Sequence, residues 1–292
     1  DYYASRGLGD VYKRQTYTII SYLAPGSRSP KYVGCFEAWG FCLYGGKMSK
    51  VAILVDGGFY KKRAKFLFGD KSPQERADEL FLYCCRHIGE KNSYGKSEKA
   101  SSAKNELYRI FYYDCHPSEK IVYHPLLKRT IDLKKEPTYK WNEDFFMALM
   151  TKRKLALRMG EILESSVGYV ISESATKKLC NQTITVNDLT EKDFTLDITQ
   201  KGVDMRIGLD IAALAYKKLV DKIVLIAGDS DFVPAAKHAR REGIDFVLDP
   251  LWQSIKPSLQ EHIDGLESKT QKPGTGGNDT LRNTGYTPPL LN

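Results

Sequence analysis

Lys222-Ile-Val-Leu-Ile-Ala227-Gly228-Asp229-Ser230-Asp231-Phe232 is the stretch that decides the fold. Ile223–Ala227 is an unbroken apolar run, which suits a strand covered on both faces and therefore a parallel sheet between helical layers. The run stops at Gly-Asp-Ser-Asp, residue types that cap helices, and Pro234 is tolerated in a first helical turn. The pattern predicts a helix over 232–242 and a further strand over 244–248. Strand, helix and strand with short connections imply a right-handed crossover in one sheet.

Working outward, Val51-Ala-Ile-Leu-Val55 is a second continuous apolar run, ending at Asp56-Gly57-Gly58. A basic helical stretch and a helix over 73–89 follow, then a polar Lys/Ser-rich loop at 91–105 and a strand over 107–113. Apolar spacing at Phe145, Leu149, Leu155 and Met159 predicts one long helix over 142–164. Short strands are expected at 168–172 and 194–199 around an insertion, with a helix over 204–219. The fold class expected is α/β, a three-layer α/β/α arrangement on a central, mostly parallel sheet.

The chain has 292 residues, 42% hydrophobic and 27% charged, ordinary values for a globular domain. Its formal net charge of +8 suits a polyanionic partner but carries no fold information. Six cysteines (Cys35, Cys42, Cys84, Cys85, Cys115 and Cys180) form no CxxC pair, which disfavours a zinc site and fits reduced thiols in a cytoplasm. No apolar run reaches the length of about 18 residues that a membrane helix needs. Residues 1–47 lack sustained patterning, and Gly7–Gln15 resembles translated sequencing-adaptor sequence, so the natural chain is expected to begin at Met48. The domain is expected over 48–267, with a disordered Gly/Pro/Thr/Asn-rich tail over 268–292.

An open parallel sheet places its active site at the carboxyl ends of its strands, and acidic residues stand there repeatedly. Asp56 ends the first run, where it could also serve as a simple cap. Asp229 and Asp231 flank Ser230, and two carboxylates so close repel unless a cation or helix N-terminus compensates. A hard divalent cation does so through oxygen ligands. Asp204, after Lys201-Gly-Val, opens a helix carrying Ile207, Ile211 and Leu214. Asp210 shares the inward side of that helix, so it requires a partner, a proton or an ion. Asp114 ends the second strand at the same rim, where it either joins the cluster or caps the turn before Pro117.

The order of these elements resembles the NYN domain family, including its LabA-like bacterial members, within the PIN-like nuclease superfamily. The matching residues are Val55-Asp-Gly-Gly-Phe59, Arg109–Asp114, Lys201-Gly-Val-Asp204 with Asp210, and Gly228-Asp-Ser-Asp-Phe232, spanning roughly residues 50–250. Phe59 departs from the family pattern, where Asn is common. The resemblance implies Mg2+- or Mn2+-dependent cleavage of RNA, single-stranded or structured. Asp56, Asp204 and Asp229 are then the first-choice metal ligands, Asp231 and Asp210 follow, and Ser230 orients water or caps the helix. Such ions activate a water and stabilise charge on the scissile phosphate.

Phosphate contacts are expected from basic side chains. Lys61, Lys62, Arg63 and Lys65 follow the first acidic position. Lys152, Arg153, Lys154 and Arg158 lie on the expected long helix, and Lys237, Arg240 and Arg241 lie after Asp231. Each group could equally be a solvated face. The five histidines form no HxxxH pair, and Gly57-Gly58 lacks the rest of a nucleotide loop. Two rivals stay open: a catalytically inactive RNA- or protein-binding module of the same fold, and an Asp-nucleophile phosphatase. The latter would carry a second Asp where Gly58 stands. A homodimer is neither required nor excluded.

Overall fold

The computed structural model describes residues 48–89 and 105–273. The leader, most of the polar loop and residues 274–292 lie outside the described residues. Among those described, seven strands form one sheet in the order β11 (Gly265–Leu266), β10 (Asp245–Asp249), β9 (Lys222–Ile226), β1 (Lys50–Asp56), β2 (Glu106–Cys115), β5 (Leu155–Ile162) and β8 (Gln200–Lys201). All neighbours are parallel except β5 and the two-residue strand β8 (Gln200–Lys201).

β1 (Lys50–Asp56) occupies the centre of this sheet. Its alternate side chains serve two cores, as the period of two requires. Val51, Ile53 and Val55 pack beneath α1 (Gly57–Phe68), α2 (Pro73–Arg86) and α3 (Pro137–Met150). Ala52 and Leu54 face α5 (Val203–Tyr216) and α6 (Val233–Arg241). All five are fully buried. Each large aliphatic side chain so covered contributes about 1.5–3 kcal/mol. This is the expected three-layer α/β/α arrangement.

Local chemistry sets the boundaries. α2 starts at a capping box, where the Glu75 amide donates to Ser72 Oγ at 3.4 Å and the Ser72 amide donates to Glu75 Oε2 at 3.0 Å. Gly202, at φ 78°, makes the left-handed turn from β8 into α5. β2 (Glu106–Cys115) aligns on β1 with Asp56 opposite Tyr113. β9 (Lys222–Ile226) flanks the other side with Ile226 opposite Val55, and β10 (Asp245–Asp249) follows it.

The long helix expected over 142–164 is two elements. α3 ends at Met150, and Leu155–Ile162 is β5, paired with β2. Lys154, at φ 59°, reverses the chain between them. Leu155, Leu157 and Met159 pack on the α1–α3 side while Ala156 packs on the α5–α6 side, so the stretch alternates as a strand.

The insertion contains two hairpins. One pairs β3 (Ile121–His124) with β4 (Arg129–Asp132); the other pairs β6 (Gly168–Ile171) with β7 (Phe194–Asp197), α4 (Glu173–Cys180) lying between the last two. They share a small core of Val122, Leu133 and Val167. At the C-terminus, α7 (Pro257–Gln260) and β11 (Gly265–Leu266) complete the sheet edge. Ser268, expected in the disordered tail, instead donates from Oγ to Asp249 Oδ1 at 2.8 Å. The Lys269 amide donates to Tyr83 Oη at 3.1 Å. No helix among the described residues is long and apolar enough to cross a membrane.

Candidate active site

From β1 the chain builds the sheet outward through β2 and β5, then returns to the opposite flank with β9 and β10. Such a reversal opens a crevice at the carboxyl ends of the strands on either side of it. β1 ends there at Asp56 and β9 leads there to Asp229. Asp204 lies in the first turn of α5.

Asp56 caps α1, with the Phe59 amide donating to its Oδ1 at 3.1 Å. Its carboxyl is pushed up to about 6, chiefly by burial; the Phe59 amide opposes the shift, while the charges of Asp204 and Asp114 add to it. Asp204 is raised as well, by burial and then by Asp229 and Asp231. Asp204 thus lies within electrostatic range of Asp56 on one side and of Asp229 and Asp231 on the other, which makes this rim of the sheet a negative crevice. None of the four forms an ion pair with Lys or Arg among the described residues.

Asp229 caps the turn that leads into α6, its Oδ1 accepting from the Asp231 amide at 3.2 Å and from Ser230 Oγ at 3.4 Å. The spacing of this loop from α1 is fixed by contact between Gly228 and Phe59. A Cβ at 228 would meet Phe59 Cε2 at 2.5 Å, so any side chain there must displace the Phe59 ring. Phe59, where the family commonly has Asn, thus supplies packing between the two acidic loops. Lys256 donates from Nζ to Ser230 Oγ at 3.1 Å, bringing a cation to the rim from a stretch with no recognisable motif.

Asp114 joins the crevice electrostatically but its oxygens are occupied. Its fully buried carboxylate accepts from Tyr112 Oη at 3.0 Å, the Cys115 amide at 2.9 Å and Gln200 Nε2 at 3.2 Å, and pairs with Lys61 Nζ at 2.8 Å. Lys61 also donates to Asn142 Oδ1 at 2.9 Å. Sequence reasoning missed Gln200 and Asn142, which act only through this long-range network. Asp210 lies outside the group. It accepts from Tyr113 Oη at 2.8 Å and pairs with Arg158 Nε at 3.1 Å, so the partner that its inward position required is a basic residue.

The basic residues also divide. Lys62 and Lys237 are exposed. Lys61 is turned inward to Asp114, and Arg63 donates twice to the Leu251 carbonyl, at 2.6 and 3.2 Å. Lys152 and Arg153 precede β5 and so lie at the amino ends of the strands, opposite the crevice; Lys152 is paired with Asp78. Their expected role in holding nucleic acid at this site does not fit that position.

Residues 147–265 match the family model described as the NYN domain. That span of the chain resembles an NYN domain. NYN domains are nuclease-type domains, generally dependent on a divalent metal. The matched span contains Asp204, Asp210, Asp229 and Asp231, whereas β1 and β2, with Asp56 and Asp114, precede it. No curated protein matches the chain. Among solved structures, it is similar to a protein of unknown function from Vibrio parahaemolyticus RIMD 2210633 at 13% identity, over 76% of this chain and 93% of that one, with a TM-score of 0.37. A second is a chain solved for the structural basis of sirtuin substrate affinity, at 10% identity, over 80% and 92% of the two chains, with a TM-score of 0.29.

The crevice suits a hard cation by chemistry, since its donors are carboxylate oxygens: burial and then Asp204 raise Asp56, burial and then Asp229 and Asp231 raise Asp204, and no Lys or Arg among the described residues pairs with them. As the side chains stand, no three His, Cys, Asp or Glu groups among the described residues converge closely enough to hold an ion. Asp204 and Asp231 are exposed, so rotation about their side-chain bonds is open to both.

Proposed function

We propose that this NYN-like domain is a metal-dependent endoribonuclease that hydrolyses RNA phosphodiester bonds, single-stranded or structured, with Mg2+ or Mn2+ held by Asp56, Asp204, Asp229 and Asp231. The observation supporting this reading is the electrostatic influence that carboxylates from β1, α5 and the β9–α6 loop exert across one rim of the sheet, none of them ion-paired with Lys or Arg among the described residues. When bound, the cation stabilises the charge that grows on the scissile phosphate.

The protein's own groups supply position. Asp56 is held by its cap to the Phe59 amide, and Asp229 by its contacts with Asp231 and Ser230. The Gly228–Phe59 contact sets the gap between their loops. Lys256, Lys62 and Lys237 offer positive charge for the RNA backbone, which gives affinity without choice of sequence. The buried Lys61–Asp114 pair forms a fixed wall beside the crevice.

The deciding experiment incubates the full chain with end-labelled RNA in chelator, Mg2+ or Mn2+. Internal cleavage that needs metal and is lost in Asp56→Asn and Asp229→Asn is expected. Intact RNA in every metal, with RNA still retained in a gel shift, transfers the reading to the inactive binding module.

A further inference from the structure

A cleft of about 310 Å3 lies beside the acidic crevice, at the lower end of the range for small-ligand sites, about 300–1,000 Å3. One side is Tyr139 in the first turn of α3, and the other is the inserted hairpins with Tyr169, Leu196 and Ile198. Lys61, Asp114 and Gln200 form the boundary towards the acids. The proximity is direct. Asp56 Oδ1 and Gln200 Oε1 lie 3.5 and 3.7 Å from the point where a Cβ on Gly58 would sit.

The polar groups facing this cleft have fixed directions. A carboxylate only accepts, so the nitrogen of Gln200 must face Asp114 and its carbonyl oxygen is left unspent. An ammonium only donates, so the oxygen of Asn142 must face Lys61. Its nitrogen gives one hydrogen to the Thr138 carbonyl at 2.8 Å and retains a second. The aromatic walls are fixed as well. Tyr139 Oη donates to Glu119 at 2.6 Å, and the Tyr169 ring lies 4.3 Å from that of His124.

We infer that this cleft is a nucleobase subsite, which receives one unstacked base of the RNA strand whose phosphate lies at the acidic crevice. The inference rests on the ribonuclease reading and names what that site selects. Apolar and aromatic walls suit the flat face of a base, and single-stranded RNA is read in this way. The free acceptor on Gln200 and the spare hydrogen on Asn142 offer partners to the mixed donor and acceptor edge of a base. A paired helix, whose bases are stacked inside it, cannot present a base to this cleft.

The test walks a single abasic nucleotide through a short single-stranded RNA. Cleavage by the full chain is measured together with binding in Ca2+ by fluorescence anisotropy. Expected is a loss of about tenfold in both at one position, from the stacking contact forfeited there. Ile198→Trp, filling the cleft from an exposed edge, is expected to abolish the positional effect while the fold persists by circular dichroism. A flat abasic profile in binding overturns the subsite, whether or not RNA is cut, and so does an unchanged profile in Ile198→Trp. Absence of cleavage with a stepped binding profile removes the nuclease reading and retains the subsite.

Discussion

The ring of Phe59, one turn into α1, lies against the backbone of Gly228 at the end of β9, leaving no room for even a methyl group between the two acidic loops. Gly228→Ala would push Phe59 away or spread the loops, separating Asp56 from Asp229. A positional error of about 1 Å costs catalysis on the order of 100-fold. We expect Gly228→Ala to lose at least tenfold in kcat/KM and a few degrees in Tm. Phe59→Ala in the same chain should restore part of the activity. If the double variant is no better than the product of the two single ones, the contact is not what holds the loops.

Asp56 gives a pH prediction for the metal-free protein. Its folded pKa is about 6 against an ordinary value of 3.8, so the native state keeps the proton to higher pH than the unfolded chain does. The stability this contributes is complete below 3.8, erodes as pH rises between 3.8 and about 6, and is absent above. In chelator, Tm should therefore fall as pH rises through this window, and Asp56→Asn should flatten that part of the profile. An identical pH profile in the variant would show that burial does not hold the proton on Asp56.

Much of this was legible in sequence because it is contiguous. Val51–Asp56 and Lys222–Phe232 each carry the strand, its end and its acids within about a dozen residues. The failure at β5 has a simple cause. Leu155 and Met159 are four apart, a spacing that satisfies a helix and a strand alike, and Leu157 between them was the residue that separates the two. The chain reverses at Lys154 in a left-handed conformation without Gly or Pro to announce it. Gln200, Asn142 and Lys256 matter only through partners far along the chain. No local pattern could disclose them, nor show that Lys61 faces inward.

Lys61 distinguishes a structural cation from a substrate-binding one. Its partner Asp114 is fully buried, and removing one member of a buried pair costs about 3–5 kcal/mol because the other charge is stranded. Part of the Lys61 side chain is solvated, which places the expected cost of Lys61→Met near the lower end. Asp114→Asn combined with Lys61→Met should cost less than Lys61→Met alone by urea denaturation. Were Lys61 mainly a phosphate contact, Lys61→Met would instead leave stability unchanged and weaken RNA binding.

The positions of the basic residues separate two sets by salt dependence. Each phosphate contact with single-stranded nucleic acid contributes about 0.7 to the slope of log K against log salt. Lys62 and Lys237 are exposed on the helices that lead away from Asp56 and Asp231, and Lys256 bonds Ser230, so Lys62→Ala, Lys237→Ala and Lys256→Ala should each lower affinity together with that slope. Lys152→Ala and Arg153→Ala stand at the amino ends of the strands, and both should leave slope and affinity as in the parent chain. Lys152→Ala should still cost up to about 1 kcal/mol of stability through its pair with Asp78. A drop in slope for Arg153→Ala would mean that RNA wraps both ends of the sheet, and the path assigned to the strand would have to be redrawn.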